Sequence, residues 1–299
     1  MHPVLLALDW GTTSLRAFLL APDGTVLDRQ RLALGILKVP DNDFAGVFRQ
    51  IREYWPDARH LPALACGMIG SRQGWAEAPY CACPAGLAEL AEALHGVPGE
   101  DRLWLVPGLS HRGADSLPDV MRGEETQLMG LGDGLHLLPG THSKWARVGD
   151  GRVESFITCF TGELYGVLRD HSILGRLMAG AEPDSGAFRR GLELADREPA
   201  LLRQLFSVRS LPLNGELPPK AVASYLSGLL IGTEISTALA CLPAPDGPIT
   251  VAGEPGLTAR YREALAYRGL ETAVADEDCA ARGLYRIARV AGLLENNHD

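Results

Sequence analysis

The chain has 299 residues, of which 46% are hydrophobic and 22% charged, a globular composition large enough for two domains of ordinary size. Its net charge of −9 and its lack of a lysine and arginine cluster argue against a nucleic-acid-binding or membrane-surface protein. The six cysteines have no metal-ligand spacing, so we expect reduced thiols in a cytoplasmic protein. The N-terminal apolar run has no basic region and stops at Asp9, unlike a signal peptide.

The first part of the chain predicts short antiparallel strands at 4–8, 15–20 and 25–32, joined first by an unusually polar turn. The turn consists of Gly11, Thr12, Thr13 and Ser14, and Asp9 ends the strand before it. Glycine lets backbone N–H groups approach an anion and hydroxyl groups bind its oxygens, so the turn suits phosphate. A carboxylate at the strand end can hold Mg²⁺ through water. The alternative is an ordinary hairpin with a polar tip.

The rest of the first half alternates helices and buried strands. The predicted elements are a helix at 44–54, a strand at 61–66, a helix at 87–94, a strand at 103–106 and a helix at 124–131. The loop 67–75 leaves the carboxyl end of a strand, where ligand contacts concentrate in α/β folds. It carries Ser71, Arg72, Gln73 and Trp75. A plain surface charge for Arg72 and a core-rim position for Trp75 are the alternatives.

A second copy of the strand plan begins near the middle of the chain. Residues 136–148 and 152–158 again predict strands, and the turn between the first two carries Gly140, Thr141, His142 and Ser143, followed by Lys144. The two polar turns are separated by nearly half the chain, as two equivalent domains that face one ligand would require. Asp9 is matched by Leu138, so only the first turn has a metal-binding carboxylate.

The second half continues with helices and ends on a small-residue helix. We predict helices at 161–177 and 188–206, a proline-rich linker at 212–219, a long helix at 220–242, a strand at 249–252, and helices at 257–267 and 276–294. The apolar helix at 220–242 contains Glu234 and several glycines, serines and threonines, which favours a buried core helix over a membrane span.

The paired polar turns resemble the two phosphate loops of the actin-like ATPase fold. This resemblance implies an α/β protein with two ribonuclease-H-like domains around a central cleft. We expect an N-terminal domain at 1–134 with the first phosphate loop and a sugar-binding loop, and a C-terminal domain at 135–299 with the second phosphate loop. Gly253, Glu254 and Pro255 resemble the adenosine motif of that fold. The segment 280–283 resembles its second connecting motif, which implies that the last helix lies near the hinge.

Five blocks of sequence resemble the 2-dehydro-3-deoxygalactonokinase family more specifically, and they lie at 8–14, 67–75, 122–127, 139–144 and 161–165. The resemblance implies ATP- and Mg²⁺-dependent phosphorylation of 2-dehydro-3-deoxy-D-galactonate at O6, in bacterial galactonate breakdown. The alternatives are a kinase for another small sugar, sugar acid or polyol, and a non-enzymatic, nucleotide-switched binding protein. The expected partners are small molecules, and a homodimer is left open.

The resemblance also assigns roles. Asp9 is the metal-side residue; the phosphate ligands come from Gly11, Thr12, Thr13, Ser14, Gly140, Thr141, His142, Ser143 and Lys144, with Gly253, Glu254 and Pro255 near the adenosine. Glu124 and Glu125 are candidates for the catalytic base with Asp119 as a third, although a solvated acidic helix start is the alternative. The sugar acid is assigned to Ser71, Arg72, Gln73, Trp75 and, behind Arg72, Arg122.

Overall fold

A computed structural model describes residues 2–113, 116–197 and 200–294. Contacts between Cα atoms divide the chain into two compact units. Unit one comprises Met1–Asp133, Arg147–Phe156 and Asp276–Asp299, and unit two comprises Gly134–Ala146 and Ile157–Ala275. The final segment therefore belongs, by its contacts, with the N-terminal part of the chain.

The main sheet of unit one contains the predicted first meander. Its strands are β1 Leu5–Trp10, β2 Leu15–Leu20, β3 Val26–Leu32, β4 Ala63–Cys66, β7 His95–Gly96 and β8 Leu103–Leu105, in the spatial order β3-β2-β1-β4-β8-β7. Strands β1, β2 and β3 are antiparallel neighbours, whereas β1, β4 and β8 are parallel. The predicted strands are confirmed, but β1 continues to Trp10, so Asp9 lies inside the strand rather than ending it.

The remaining elements of unit one surround this sheet. They are α1 Phe44–Tyr54, β5 Tyr80–Ala82, β6 Ala85–Gly86, α2 Leu87–Glu92, β9 Gly108–Arg112, β10 Pro118–Met121, α3 Glu124–Leu131 and α10 Cys279–Val290. The first and third helices match their predicted bounds, and α2 is two residues shorter than predicted. Strands β10, β9 and β5 form a second sheet that the sequence did not predict.

Unit two repeats the strand order of unit one. Its elements are β11 Gly134–Leu138, β12 Ser143–Gly149, β13 Arg152–Cys159, α4 Thr161–His171, α5 Ser185–Arg197, α6 Leu201–Leu205, α7 Ser207–Leu213, α8 Val222–Cys241, β14 Ile249–Val251, α9 Pro255–Tyr267 and β15 Thr272–Val274. The sheet runs β13-β12-β11-β14-β15, the counterpart of β3-β2-β1-β4-β8, and β11, β14 and β15 are parallel. Strands β12 and β13 continue along the chain into unit one, where β6 pairs with β13.

Some helix bounds differ from the prediction. Helix α4 ends at His171 because Ser172 has an extended backbone. The predicted helix 188–206 is two helices, α5 and α6, and residues 198–199 between them lie outside the described residues. The predicted linker 212–219 begins within α7, which includes Pro212. Periodicity alone did not locate the end of α4, because that end depends on the backbone geometry of Ser172.

Close helix packing accounts for two glycine-containing patterns. In unit two, a Cβ at Gly228 on α8 would collide with the carbonyl oxygen of Phe188 on α5. In unit one, a Cβ at Gly283 on α10 would collide with the carbonyl oxygen of Thr126 on α3. Both pairs of helices therefore approach closely at a glycine, whereas the placement of α10 at a hinge stays a prediction. The helical segment 219–241 is long and apolar enough to cross a membrane. However, 78% of its most apolar 18-residue stretch is buried inside the protein.

Candidate active site

The first polar turn leaves its two threonines exposed. The Gly11 N–H donates to the Ser14 carbonyl over 3.0 Å and closes the turn. The Ile36 N–H donates to the Gly11 carbonyl over 3.0 Å, so the following segment supports the turn from one side. Thr12 and Thr13 are solvent-exposed, and their hydroxyl groups are therefore accessible to an anion.

Asp9 is paired with an arginine that the sequence analysis missed. Asp9 on β1 lies directly opposite Arg16 on β2. The Arg16 Nε donates to Asp9 Oδ2 over 3.0 Å, and Nη2 bonds the same oxygen. The period of two along β2 could have indicated the pair, because opposite residues on neighbouring strands share a face.

The Asp9 carboxylate fits a role near a divalent cation. Both contacts with Arg16 use Oδ2, and Oδ1 forms no hydrogen bond with any described residue. Carboxylate oxygens are the ligands that Mg²⁺ prefers, and Mg²⁺ usually keeps several waters and binds substrate phosphates. Among the described residues, no group of three or more His, Cys, Asp or Glu could form an all-protein metal site.

Three predicted site segments meet around two glycines of unit one. Gly67 follows β4 with φ of +91°, and a Cβ there would lie 2.8 Å from the Trp10 carbonyl oxygen and 3.6 Å from Asp9 Oδ1. Gly123 precedes α3 with φ of +107°, and a Cβ there would lie 3.1 Å from the Gly67 Cα. The end of β1, the start of loop 67–75 and the start of α3 are therefore adjacent, in conformations that favour glycine.

Helix α3 begins with two glutamates in different environments. Glu125 is fully buried and accepts hydrogen bonds from the Gly123 N–H over 2.6 Å and the Thr126 hydroxyl over 3.0 Å. Burial, and to a lesser extent the charge of Glu124, raise the pKa of Glu125 to about 8. Glu124 is only partly buried and accepts from the Arg122 N–H over 3.1 Å. Access therefore favours Glu124 as a base, whereas the raised pKa favours Glu125.

The third candidate base lies on another element. Asp119 belongs to β10, and its Oδ1 accepts from the Val120 N–H over 2.7 Å. It is partly buried.

The predicted substrate residues of loop 67–75 lie partly at the surface and partly against the core. The side chain of Arg72 is 86% exposed, and its Nε lies 3.5 Å from Glu77 Oε2. Gln73 is exposed, and the Ser71 hydroxyl donates to the Met68 carbonyl over 2.7 Å. Trp75 instead packs edge-on against Phe48 of the core, with ring centroids 5.9 Å apart, as the core-rim alternative expected.

Arg122 is a buried cation beneath the same loop. Its Nη2 donates to the Ala78 carbonyl over 2.7 Å, and its guanidinium lies 4.4 Å from the centre of the Tyr80 ring. Within the described ranges, its Nε and Nη1 have no hydrogen-bond partner. Arg122 therefore braces the segment that follows Trp75.

The second polar turn has two exposed residues, and the next two residues along the chain are buried. Thr141 and His142 are exposed, and His142 Nε2 lies 2.6 Å from Glu163 Oε2 on α4. The His142 ring also stacks on Phe160, with centroids 5.1 Å apart. Ser143 is buried, and its hydroxyl lies 3.0 Å from the Tyr261 hydroxyl. Lys144 is buried too, and its Nζ donates to the His142 carbonyl over 3.1 Å.

The adenosine-like segment lies beside this turn within unit two. A Cβ at Gly253 would lie 3.2 Å from the carbonyl oxygen of Pro139, the residue before Gly140. The Glu254 carboxylate accepts from two N–H groups at the start of α9, which lowers its pKa, and Pro255 is the first residue of that helix. The Glu254 side chain thus caps the helix.

The strand order that the two units share, and the order of the site segments along the chain, are those of the actin-like ATPase fold. The structure is similar to that of an activator of 2-hydroxyisocaproyl-CoA dehydratase from Clostridium difficile with bound ADPNP, with a TM-score of 0.51 and 11% identity, covering 96% of this chain and 95% of that one. At that identity the likeness shows the fold alone. A family model described as 2-keto-3-deoxy-galactonokinase matches residues 9–287, and the chain belongs to that family.

Individual relatives agree with this membership. The chain is 42% identical to a protein of Rhizobium meliloti named probable 2-dehydro-3-deoxygalactonokinase, covering 95% of this chain and 96% of the relative. It is 38% identical to the 2-dehydro-3-deoxygalactonokinase of Escherichia coli, covering 95% and 97%. A crystal structure of a Sinorhizobium meliloti protein assigned the same activity superposes with a TM-score of 0.87 at 38% identity, covering 95% and 98%.

Proposed function

We propose that this chain transfers the γ-phosphoryl group of ATP to O6 of 2-dehydro-3-deoxy-D-galactonate in galactonate breakdown. Family membership and the names of the relatives support the reaction. The convergence of Asp9, Gly67 and Gly123 in unit one is the observation that carries it, because it joins the proposed metal, sugar and base segments.

In this reaction the O6 hydroxyl attacks the γ-phosphorus, an O6–P bond forms, and the bond to the β,γ-bridging oxygen breaks to release ADP. The hydroxyl proton passes to a carboxylate of the protein. We assign that role to Glu124, because a base must first reach its proton and Glu125 is fully buried. Glu125 then holds the Gly123 turn in place, and Asp119 is the third candidate.

The phosphates are proposed to bind the two polar turns, through Gly11, Thr12, Thr13 and Ser14 in the first and Gly140, Thr141 and His142 in the second. Ser143 and Lys144 contribute backbone N–H groups or support, because their side chains are buried. Asp9 would hold Mg²⁺ through water, and the ion would neutralise phosphate charge. Gly253, Glu254 and Pro255 would present backbone to the adenosine, since the Glu254 carboxylate caps α9.

The carboxylate of the sugar acid needs a local cation, because the protein is acidic overall. We assign it to Arg72, which is exposed and whose Nε lies 3.5 Å from Glu77 Oε2. A guanidinium can bond two carboxylate oxygens at once. Ser71 and Gln73 lie beside it, Trp75 supports the loop from the core, and Arg122 braces the loop from below.

The predicted domains, 1–134 and 135–299, would each supply one phosphate loop. The six cysteines are free thiols, which supports a reducing, cytoplasmic location. The partners are ATP and the sugar acid, and a homodimer is compatible with them.

A coupled assay of ATP consumption tests the proposal. The purified chain with Mg²⁺ should be tested on hexonates, their 2-keto-3-deoxy forms, simple sugars and polyols. We expect turnover to depend on added 2-dehydro-3-deoxy-D-galactonate. Faster turnover with another sugar or polyol would make that compound the substrate instead. ATP hydrolysis at the same rate with and without every acceptor would overturn the kinase assignment.

A further inference from the structure

Helix α8 carries a carboxylate deep inside unit two that the proposed reaction does not use. Glu234 is 3% exposed. Its Oε1 accepts from the Trp145 indole N–H over 2.8 Å, and its Oε2 accepts from the Tyr261 hydroxyl over 2.6 Å. In the part of the chain that the structure describes, no lysine, arginine or histidine forms an ion pair with Glu234.

The groups around Glu234 come from three segments, two of which have predicted nucleotide roles. Ser143 ends the second polar turn and begins β12, and Trp145 lies two residues further along that strand. Ser143 reaches Glu234 through the Tyr261 hydroxyl. Tyr261 belongs to α9, which begins at the adenosine-like segment. The hydroxyl of Thr161, at the start of α4, also hydrogen-bonds to the carboxylate. One carboxylate thus joins the phosphate turn, the adenosine helix and the α4 start.

The start of α4 touches the phosphate turn as well. The Glu163 N–H donates to the Thr141 carbonyl over 2.9 Å, and Gly162 packs so closely on the Gly140 carbonyl that a Cβ would not fit. The block 161–165, singled out in the sequence but given no role there, is therefore a support for the turn.

A buried carboxylate without a paired cation adds little to the free energy of unfolding. Its transfer from water is unfavourable unless hydrogen bonds compensate, and a well-packed apolar group of similar size is often as stable or more so. Burial accordingly raises the pKa of Glu234 against the opposing effect of its hydrogen bonds. Such a network instead fixes the positions of the donor groups relative to one another, because each donor must keep its geometry to bond the same two oxygens.

The first meander has a different arrangement at the matching positions. Aligning the two polar turns places Leu138 where Asp9 stands and Trp145 where Arg16 stands. In unit one, the strand acid is bonded by the arginine across the sheet. In unit two, the acid comes from helix α8 and is bonded by the tryptophan instead.

We propose that Glu234 is a positioning residue for the nucleotide, which fixes the turn 140–143 relative to the start of α9 through Ser143, Trp145 and Tyr261. This inference rests on the proposed function, since it assigns the turn to ATP phosphates. Small displacements of positioning groups reduce binding and rate strongly. Loosening the network therefore weakens ATP binding and leaves the sugar-acid loop of unit one unaffected.

The test uses two matched tyrosine variants. Tyr261→Phe removes the hydroxyl that links Glu234 to Ser143. Tyr225→Phe is the control, because Tyr225 is also buried, lies on α8 and bonds a serine, Ser207, over 2.8 Å. Tyr261→Phe loses the hydrogen bonds of its hydroxyl with Glu234 and Ser143, whereas Tyr225→Phe loses the bond with Ser207, so we expect both variants to lose thermal stability and Tyr261→Phe to lose more. Only Tyr261→Phe should raise the KM for ATP, by about three- to tenfold, with the KM for the sugar acid unchanged.

Variants of Glu234 and a measurement of hydrogen exchange test the inference further, and the exchange measurement does not depend on turnover. Glu234→Gln retains the side-chain size and one acceptor oxygen, so it should raise the KM for ATP less than Glu234→Ala does. Hydrogen exchange of the backbone amides of residues 140–143 should accelerate in Tyr261→Phe and not in Tyr225→Phe, whether or not the sugar acid is the substrate. Equal exchange and equal ATP KM in the two tyrosine variants would overturn the inference. Failure of wild-type turnover alone would count against the proposed function only.

Discussion

Asp9 and Arg16 face each other across strands β1 and β2, and the guanidinium bonds one carboxylate oxygen, Oδ2, twice. Both partners are largely buried, with side-chain exposures of 13% for Asp9 and 34% for Arg16. The pair fixes the carboxylate so that Oδ1 lies toward Gly67. Strand β1 thus places an oriented carboxylate where its own end lies next to the start of loop 67–75 and the start of α3.

Changing Asp9 to asparagine separates the metal role from the structural one. Asp9→Asn removes the charge that Mg²⁺ needs, so kcat should fall by about 10–100-fold if the ion binds through water. It also weakens the pair with Arg16, which should lower Tm by about 2–4 °C. Kinetics and thermal unfolding measure both effects. Asp23→Asn, in the exposed turn between β2 and β3, is the control and should leave kcat unchanged. A normal kcat for Asp9→Asn at saturating Mg²⁺ would refute the metal role.

The two glutamates of α3 can be distinguished by single amide substitutions. Glu124→Gln should lower kcat by about 10²–10⁴, since a general base contributes a factor of that size, and should leave the KM for ATP nearly unchanged. Glu125→Gln keeps the size of the side chain and one acceptor for the Gly123 N–H, so its kcat should fall less. If Glu125→Gln is the slower enzyme, the buried glutamate is the base. If neither falls tenfold, Asp119 is next.

Glu125 should also make stability depend on pH. Its folded pKa of about 8 lies above the value near 4.5 of an unperturbed glutamate, so folding favours the protonated form. The group therefore contributes no penalty below about pH 4.5, and stability is lost progressively as pH rises toward about 8. Glu125→Gln cannot ionise, so its Tm relative to wild type should rise between pH 5 and pH 9. Glu53→Gln on the exposed face of α1 should show no such trend. A pH-independent difference for Glu125→Gln would contradict the raised pKa.

Arg72 and Arg122 should respond differently to replacement by lysine. Arg72→Lys keeps the charge but loses the paired N–H groups, so the KM for the sugar acid should rise about tenfold while the KM for ATP is unchanged. Arg122→Lys removes the bond to the Ala78 carbonyl and the contact with Tyr80, so Tm should fall as well. Arg49→Lys, exposed on α1, is the matched control. If Arg72→Lys and Arg72→Ala both leave the sugar-acid KM unchanged, loop 67–75 does not bind the substrate.

Local sequence signals predicted much of the fold. The two meanders, α1 and α3 follow from the pattern of apolar residues along the chain. The sheet of β5, β9 and β10 was missed because its strands are defined by pairing between distant segments rather than by their own pattern. The end of α4 was missed for a related reason, since it depends on the extended backbone of Ser172.

The candidate site was predicted by residue type but not by side-chain direction. Glycines, threonines and acids at strand ends marked the segments that do meet in unit one. No local signal in the sequence indicated that the Ser143 hydroxyl points into the core, or that Glu234 bonds the distant residues Trp145 and Tyr261. Those directions are set by strand register and helix packing, which a single sequence does not contain.

The most direct test of the proposed activity is the ³¹P NMR spectrum, recorded with proton coupling, of the product formed from ATP and 2-dehydro-3-deoxy-D-galactonate. Transfer to O6 attaches phosphorus to a CH₂ group, so we predict a phosphomonoester resonance split into a triplet by two protons, in equal amount to the ADP released. A doublet would place the phosphoryl group on a secondary hydroxyl. Inorganic phosphate without a phosphomonoester would contradict a sugar-acid kinase altogether.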